Sequence, residues 1–99
     1  MKSFDLPLET MVITSTYITN DGLPILQVNH DYDDEDGHDW QFHCGNGDLS
    51  MSKMQLVRLG TILKIEPQLV EISDLPIGCI AIRISAEHPW VYERIDGKQ

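Results

Sequence analysis

The sequence predicts an α+β domain in which an antiparallel sheet of about five strands is covered on its apolar face by one main helix. Three observations predict it. Strand-like runs of β-branched or alternating residues recur at 11–19, 24–29, 39–44, 79–85 and 90–95. One stretch, 52–66, carries apolar residues at helical spacing. The 99 residues, 41% hydrophobic, suit a single domain over 1–99 with an ordered core at about 10–96.

In chain order, residues 1–9 read as a lead-in. The run 11–19, MVITSTYIT, reads as a strand with Val12, Thr14, Thr16 and Ile18 on one face. Asn20-Asp21-Gly22 is a turn signal, and the strand at 24–29 after it completes an expected hairpin. An acidic loop follows. The third strand, about 39–44, sends Trp40, Phe42 and Cys44 to one face and Asp39, Gln41 and His43 to the other. Gly45-Asn46-Gly47 ends it.

Ser52 with Gln55 three residues later forms a capping-box pattern, and Leu56, Leu59, Ile62 and Leu63 give the expected helix its apolar stripe. Pro67 stops that helix, and 67–72 reads as one further helical turn. Asp74-Leu75-Pro76-Ile77-Gly78 is a turn. In the strand CIAIRIS, Ile80, Ile82 and Ile84 share one face while Cys79, Ala81 and Arg83 share the other. A last strand runs from Trp90 to Ile95. The first or last strand is left as an edge, which suits a monomer or a homodimer.

Charge narrows the function. Seven of the sixteen acidic residues fall within 31–48, and residues 1–50 hold ten acids against the single base Lys2, for a net charge of −9 overall. Such a surface repels phosphate backbones and anionic lipid and attracts cationic partners, so neither nucleic acid nor a membrane is an expected partner. No apolar run approaches a bilayer span, and the N-terminal stretch has no signal-peptide core. Cys44 and Cys79 lack a CxxC spacing and read as reduced thiols of a cytoplasmic protein.

Each chemical motif weighs against a plainer reading. An EF-hand register from Asp31 puts Asp36 at the glycine position and Phe42 at the position of the bidentate Glu, so a solvated acidic loop fits better than calcium. His30, His38, His43 and Cys44 could serve a small metal-binding or regulatory domain, yet no pair has zinc-motif spacing. No metal or cofactor is expected. His43 and Cys44, as neighbours on a strand, point apart and cannot act as base and nucleophile; Cys44 reads as a small hydrophobe beside Trp40 and Phe42. An enzyme is not expected. Trp40 reads as core, whereas Trp90 after His88-Pro89 could stand at the surface as a partner anchor.

The ordered set Asp33-Asp34-Glu35-Asp36, Asp39-Trp40-Gln41-Phe42, Gly45, Leu59 and Ile62, Pro67-Gln68-Leu69 and Asp74-Leu75-Pro76-x-Gly78 resembles a family of small bacterial immunity proteins of polymorphic toxin systems, immunity protein class thirty-three, formerly a domain of unknown function. The likeness covers about residues 12–95. Gly37-His38-Asp39 stands where that family has Asp-Ser-Gly, and Glu66 where it tends to have Asp. The resemblance implies neutralisation of a cognate toxin by direct contact. Charge points the same way: a non-enzymatic acidic binding protein for a toxin or other basic protein. The expected contact residues are Asp31, Asp33, Asp34, Glu35, Asp36, Asp39 and Trp90. The plainest competing reading is an acidic face that serves solubility only.

Overall fold

The computed structural model describes residues 3–33, 37–48 and 50–94, with Asp33, Gly37 and His38 described by backbone alone. In chain order the elements are strand β1 (Met11–Ser15), helix α1 (Thr16–Thr19), strands β2 (Gln27–Asp33) and β3 (Gly37–His43), a 3-10 turn (Met51–Lys53), strand β4 (Met54–Arg58), helix α2 (Leu59–Ile65), a 3-10 helix (Pro67–Ile72), and strands β5 (Cys79–Ile82) and β6 (Val91–Arg94). The α+β class holds. The sheet differs from expectation: it has six strands in the order β4-β1-β3-β2-β5-β6 and is mixed, because β1 runs parallel to β3 while every other pair is antiparallel.

Two expected elements are corrected. The helix expected over 52–66 is a strand for its first part: Met54–Arg58 pairs residue for residue with Met11–Ser15, and helix starts only at Leu59. Helix propensity is a weak preference that tertiary pairing overrides, and without β4 the apolar strand β1 would be an exposed sheet edge. The expected hairpin of 11–19 with 24–29 also does not form. The first strand ends at Ser15 and turns into α1, where Asn20 N–H donates to Thr16 carbonyl. The second begins at Gln27 and pairs with β3 and β5, so β1 and β2 never meet. The extra helical turn after Pro67 is present as the 3-10 helix.

The core lies on one face of the sheet. Val12, Val28, Trp40, Phe42, Cys79 and Ala81 point into it from the strands, and Ile18, Leu59, Ile62, Leu69, Ile72 and Leu75 close it from the other side. The alternation expected in β3 holds, with Trp40 and Phe42 buried. The lead-in joins them: the Phe4 ring meets Trp40 edge-on at 4.9 Å. His30 is buried here too, stacked on Trp40 at 3.9 Å, with Nδ1 2.7 Å from the Leu75 carbonyl. Both cysteines are free and buried. Thr14 Oγ1 donates to the Phe42 carbonyl at 2.9 Å and fastens β1 to β3.

All the helices pack on that first face, which leaves the opposite face of the sheet without a helix over it. Strand alternation then presents to solvent one row across β4, β1, β3, β2, β5 and β6: Leu56, Ile13, Gln41, Asn29, Ile80 and Glu93. The isoleucines of CIAIRIS therefore belong to the uncovered face; Ile82 and Ile84 are exposed while Cys79, Ala81 and Arg83 are buried.

Candidate functional site

The uncovered face holds an acidic centre made by the β2–β3 ladder. Asp31 and Asp39 are direct cross-strand partners on it. Like charges directly opposite each other destabilise a sheet. Here the cost is compounded, since Oδ1 of Asp39 is buried and has no hydrogen-bond partner among the described residues. Burial raises the pKa of the Asp31 carboxyl, the Asp39 charge raises it further, and His30 opposes the shift weakly.

A side-chain relay continues from Asp31 along β3. The Gln41 amide donates from Nε2 to Asp31 Oδ2 at 3.0 Å. With its nitrogen turned to the carboxylate, Gln41 offers its oxygen to Nε2 of His43, 3.1 Å away. That contact places the imidazole proton on Nε2 and leaves Nδ1 a bare acceptor. His43 is 5% exposed, its Nδ1 has no partner among the described residues, and burial lowers its pKa, so the ring is neutral at pH 7. Carboxylate, amide and imidazole are thus held in a row by β-sheet alternation alone.

Trp90 lies elsewhere. It immediately precedes β6, whose Val91 pairs with Ile82, itself paired with Gln27 at the opposite end of β2 from Asp31. Its ring is half-buried and stacks on Arg83, with the guanidinium carbon 4.3 Å from the ring centroid. Arg83 is buried; Nε and Nη2 donate to the Ile25 carbonyl at 3.0 and 2.8 Å, Nη1 reaches the Ala86 carbonyl at 3.3 Å, and Glu66 supplies the counter-charge. The guanidinium occupies one side of Trp90. A groove of about 780 Å³ beside it is lined by Glu71, Glu87, His88 and Tyr92.

Of the expected contact residues, the structure brings together Asp31 and Asp39. Asp33 ends β2, its backbone opposite Gly37. Asp34, Glu35 and Asp36 lie outside the described residues. Trp90 stands apart from Asp31 and Asp39. The sequence singles out neither Gln41 nor Arg83, and raises His43 only as a metal ligand or a base beside Cys44. Alternation already placed Gln41 and His43 beside Asp39, which was the available signal. Arg83 was marked by being a lone cation on the Cys79–Ala81 face.

Among the described residues no group of three His, Cys, Asp or Glu side chains is placed to hold a metal ion. Of the possible ligands around 30–44, His30 and Cys44 face the core while His43 faces the uncovered side. No helix of the described residues is long and apolar enough to cross a membrane. No family model, no curated protein and no solved structure matches this chain.

Proposed function

We propose that this protein is a non-enzymatic binding protein of the cytoplasm that uses the acidic part of its uncovered sheet face to hold a basic protein. The observation that supports this reading most is the Asp31–Asp39 pair. Two carboxylates facing each other across a ladder, one with a buried oxygen that no donor among the described residues satisfies, cost the isolated chain stability. Costs of this kind concentrate where a surface awaits a partner. A lysine or arginine of the partner set against the exposed parts of the two carboxylates would relieve the repulsion. The remaining acids of 33–36 continue along the chain from the same strand, so the long-range field of the acidic half steers a cation to this place.

The specific form we propose is an immunity protein that covers the cationic surface of a cognate toxin, as the resemblance to immunity protein class thirty-three implies. The test is capture from an extract of the source bacterium with two baits, the wild type and the double variant Asp31→Asn, Asp39→Asn. A basic protein retained by the first and lost by the second is the result expected. Equal retention by both, with the variant folded, removes the acid pair from the contact surface.

A further inference from the structure

One edge of the sheet carries backbone groups arranged as half of a pair. Strand β4 ends the strand order, so among the described residues only β1 lies beside it. Which of its backbone groups face outward follows from one hydrogen bond. Leu59 N–H donates to the Thr10 carbonyl at 2.8 Å, and these two residues continue the β1–β4 register. Antiparallel ladders alternate hydrogen-bonded and non-hydrogen-bonded pairs. Gln55 and Val57 therefore bond inward to β1, while Met54, Leu56 and Arg58 turn N–H and C=O towards the open edge. Two of these groups are taken within the chain. Met54 N–H donates to the Met51 carbonyl, and the Arg58 carbonyl, at the N-cap of α2, accepts the first helical bond. The Met54 carbonyl, both groups of Leu56 and the Arg58 N–H are left for a neighbour.

We propose that this edge binds a second copy of the chain, β4 against β4 about a two-fold axis at Leu56, so that the two sheets become one. In that register Leu56 exchanges both bonds with its counterpart, and each Arg58 N–H donates to the other copy's Met54 carbonyl. Every outward group left over is used. The groups that would complete the ladder, Met54 N–H and the Arg58 carbonyl, fall opposite each other, and both are already satisfied. An unrelated strand added to the edge would set a carbonyl against the occupied Met54 N–H and an N–H against the occupied Arg58 carbonyl, whereas a copy of β4 sets gap against gap. The side chains agree with the backbone. Leu56, 64% exposed, would meet its own copy, and the stem of Arg58 would lie over Met54 beside Met51, 87% exposed. The apolar groove of about 620 Å³ lined by Ile13, Met51, Met54 and Leu56 would then be closed from the second copy. Charge favours this edge in a chain of net charge −9: between Asp48 and Glu66 stand Lys53, Arg58 and Lys64 and no acid. No like charges oppose each other across the axis. Asp31 and Asp39 lie further in, on β2 and β3, so the pairing leaves them open and does not depend on what they bind.

The experiment is sedimentation velocity of the full chain between ~10 μM and ~1 mM, joined to a cross-linking test. The mass of the wild type should rise with concentration from 11.3 kDa towards twice that value. Leu56→Lys, at an exposed position, should keep the circular dichroism of the wild type and stay at 11.3 kDa throughout. Directly opposed residues of this kind stand about 5.5 Å apart at Cα, within disulfide reach. Leu56→Cys should therefore give a disulfide-linked dimer with oxidised glutathione, and Met51→Cys, more exposed but far from the axis, should not. Cys44 and Cys79 are buried and do not compete. A wild type of 11.3 kDa at every concentration, a dimer that survives Leu56→Lys, no link at 56, or a link at 51 as ready as at 56 would each overturn the proposal.

Discussion

Asp39→Asn should stabilise the protein, and the magnitude can be worked from the sheet register. Asp31 and Asp39 are direct cross-strand partners, which sets their side chains about 5 Å apart. Two unit charges at that distance repel by about 0.8 kcal/mol in water and about 3 kcal/mol at the effective dielectric of a protein surface. Both residues are half-exposed, so solvent screens the pair towards the lower figure. A gain of about 1 kcal/mol follows, which in a domain of this size raises Tm by roughly 4–8 °C. Asp39 is a cleaner position than Asp31, since Asp31 also accepts from Gln41. The pH dependence carries a definite sign. The folded-state pKa of Asp31 is raised above the ordinary 3.8, so its ionised form opposes folding; the penalty is absent below that value and grows as pH rises through the folded pKa. The gain from Asp39→Asn should therefore be full at pH 7, small at pH 3, and reduced in high salt. Urea and thermal unfolding followed by circular dichroism read all three. A variant no more stable at pH 7, or a gain unchanged at pH 3, would refute the reasoning.

Other perturbations test other parts of the structure. The pKa of His43 is lowered by burial, so its neutral ring contributes stability above its ordinary value of 6.5 that is lost as pH falls through the folded pKa; His43→Phe should flatten that part of the acid limb in urea midpoints between pH 7 and pH 5. Arg83→Met should cost about 3–5 kcal/mol, because it strands the Glu66 charge and the Ile25 carbonyl; a loss below 1 kcal/mol in urea unfolding would show that the ion pair contributes little. Gly45 sits at φ +78°, and a Cβ there would stand 3.3 Å from that of Leu26, so Gly45→Ala should destabilise by about 1–2 kcal/mol, measured as a drop in urea midpoint. Leu59, fully buried at the first residue of α2, should lose about 2–5 kcal/mol on change to Ala.

What could be read in the sequence was local periodicity. The alternation of Asp39-Trp40-Gln41-Phe42-His43 already sorted the acidic face from the core, and Pro67 located the end of the main helix. Partnership was not legible. Leu56, Leu59, Ile62 and Leu63 keep helical spacing, yet the first of these is an exposed strand residue because β1 required a neighbour on its outer edge. Asn20-Asp21-Gly22 is a genuine turn, with Gly22 at φ +73°, but it follows a helix instead of joining two paired strands. The acid pair was visible only as composition until register put Asp31 opposite Asp39. Arg83 shows the same limit from the other side, since a buried cation becomes intelligible only when Glu66, Ile25 and Trp90 are seen around it.

The reading that the acid pair meets a basic protein is tested most directly by mapping the contact. The partner retained from the cell extract would be added to isotope-labelled protein and the backbone spectrum compared with and without it. The result expected is that the signals of Asn29, Asp31, Asp39 and Gln41 move while those of the helices, Leu59–Ile65 above all, stay in place. Shifts confined to the helical face, or no basic protein retained at all, would contradict it.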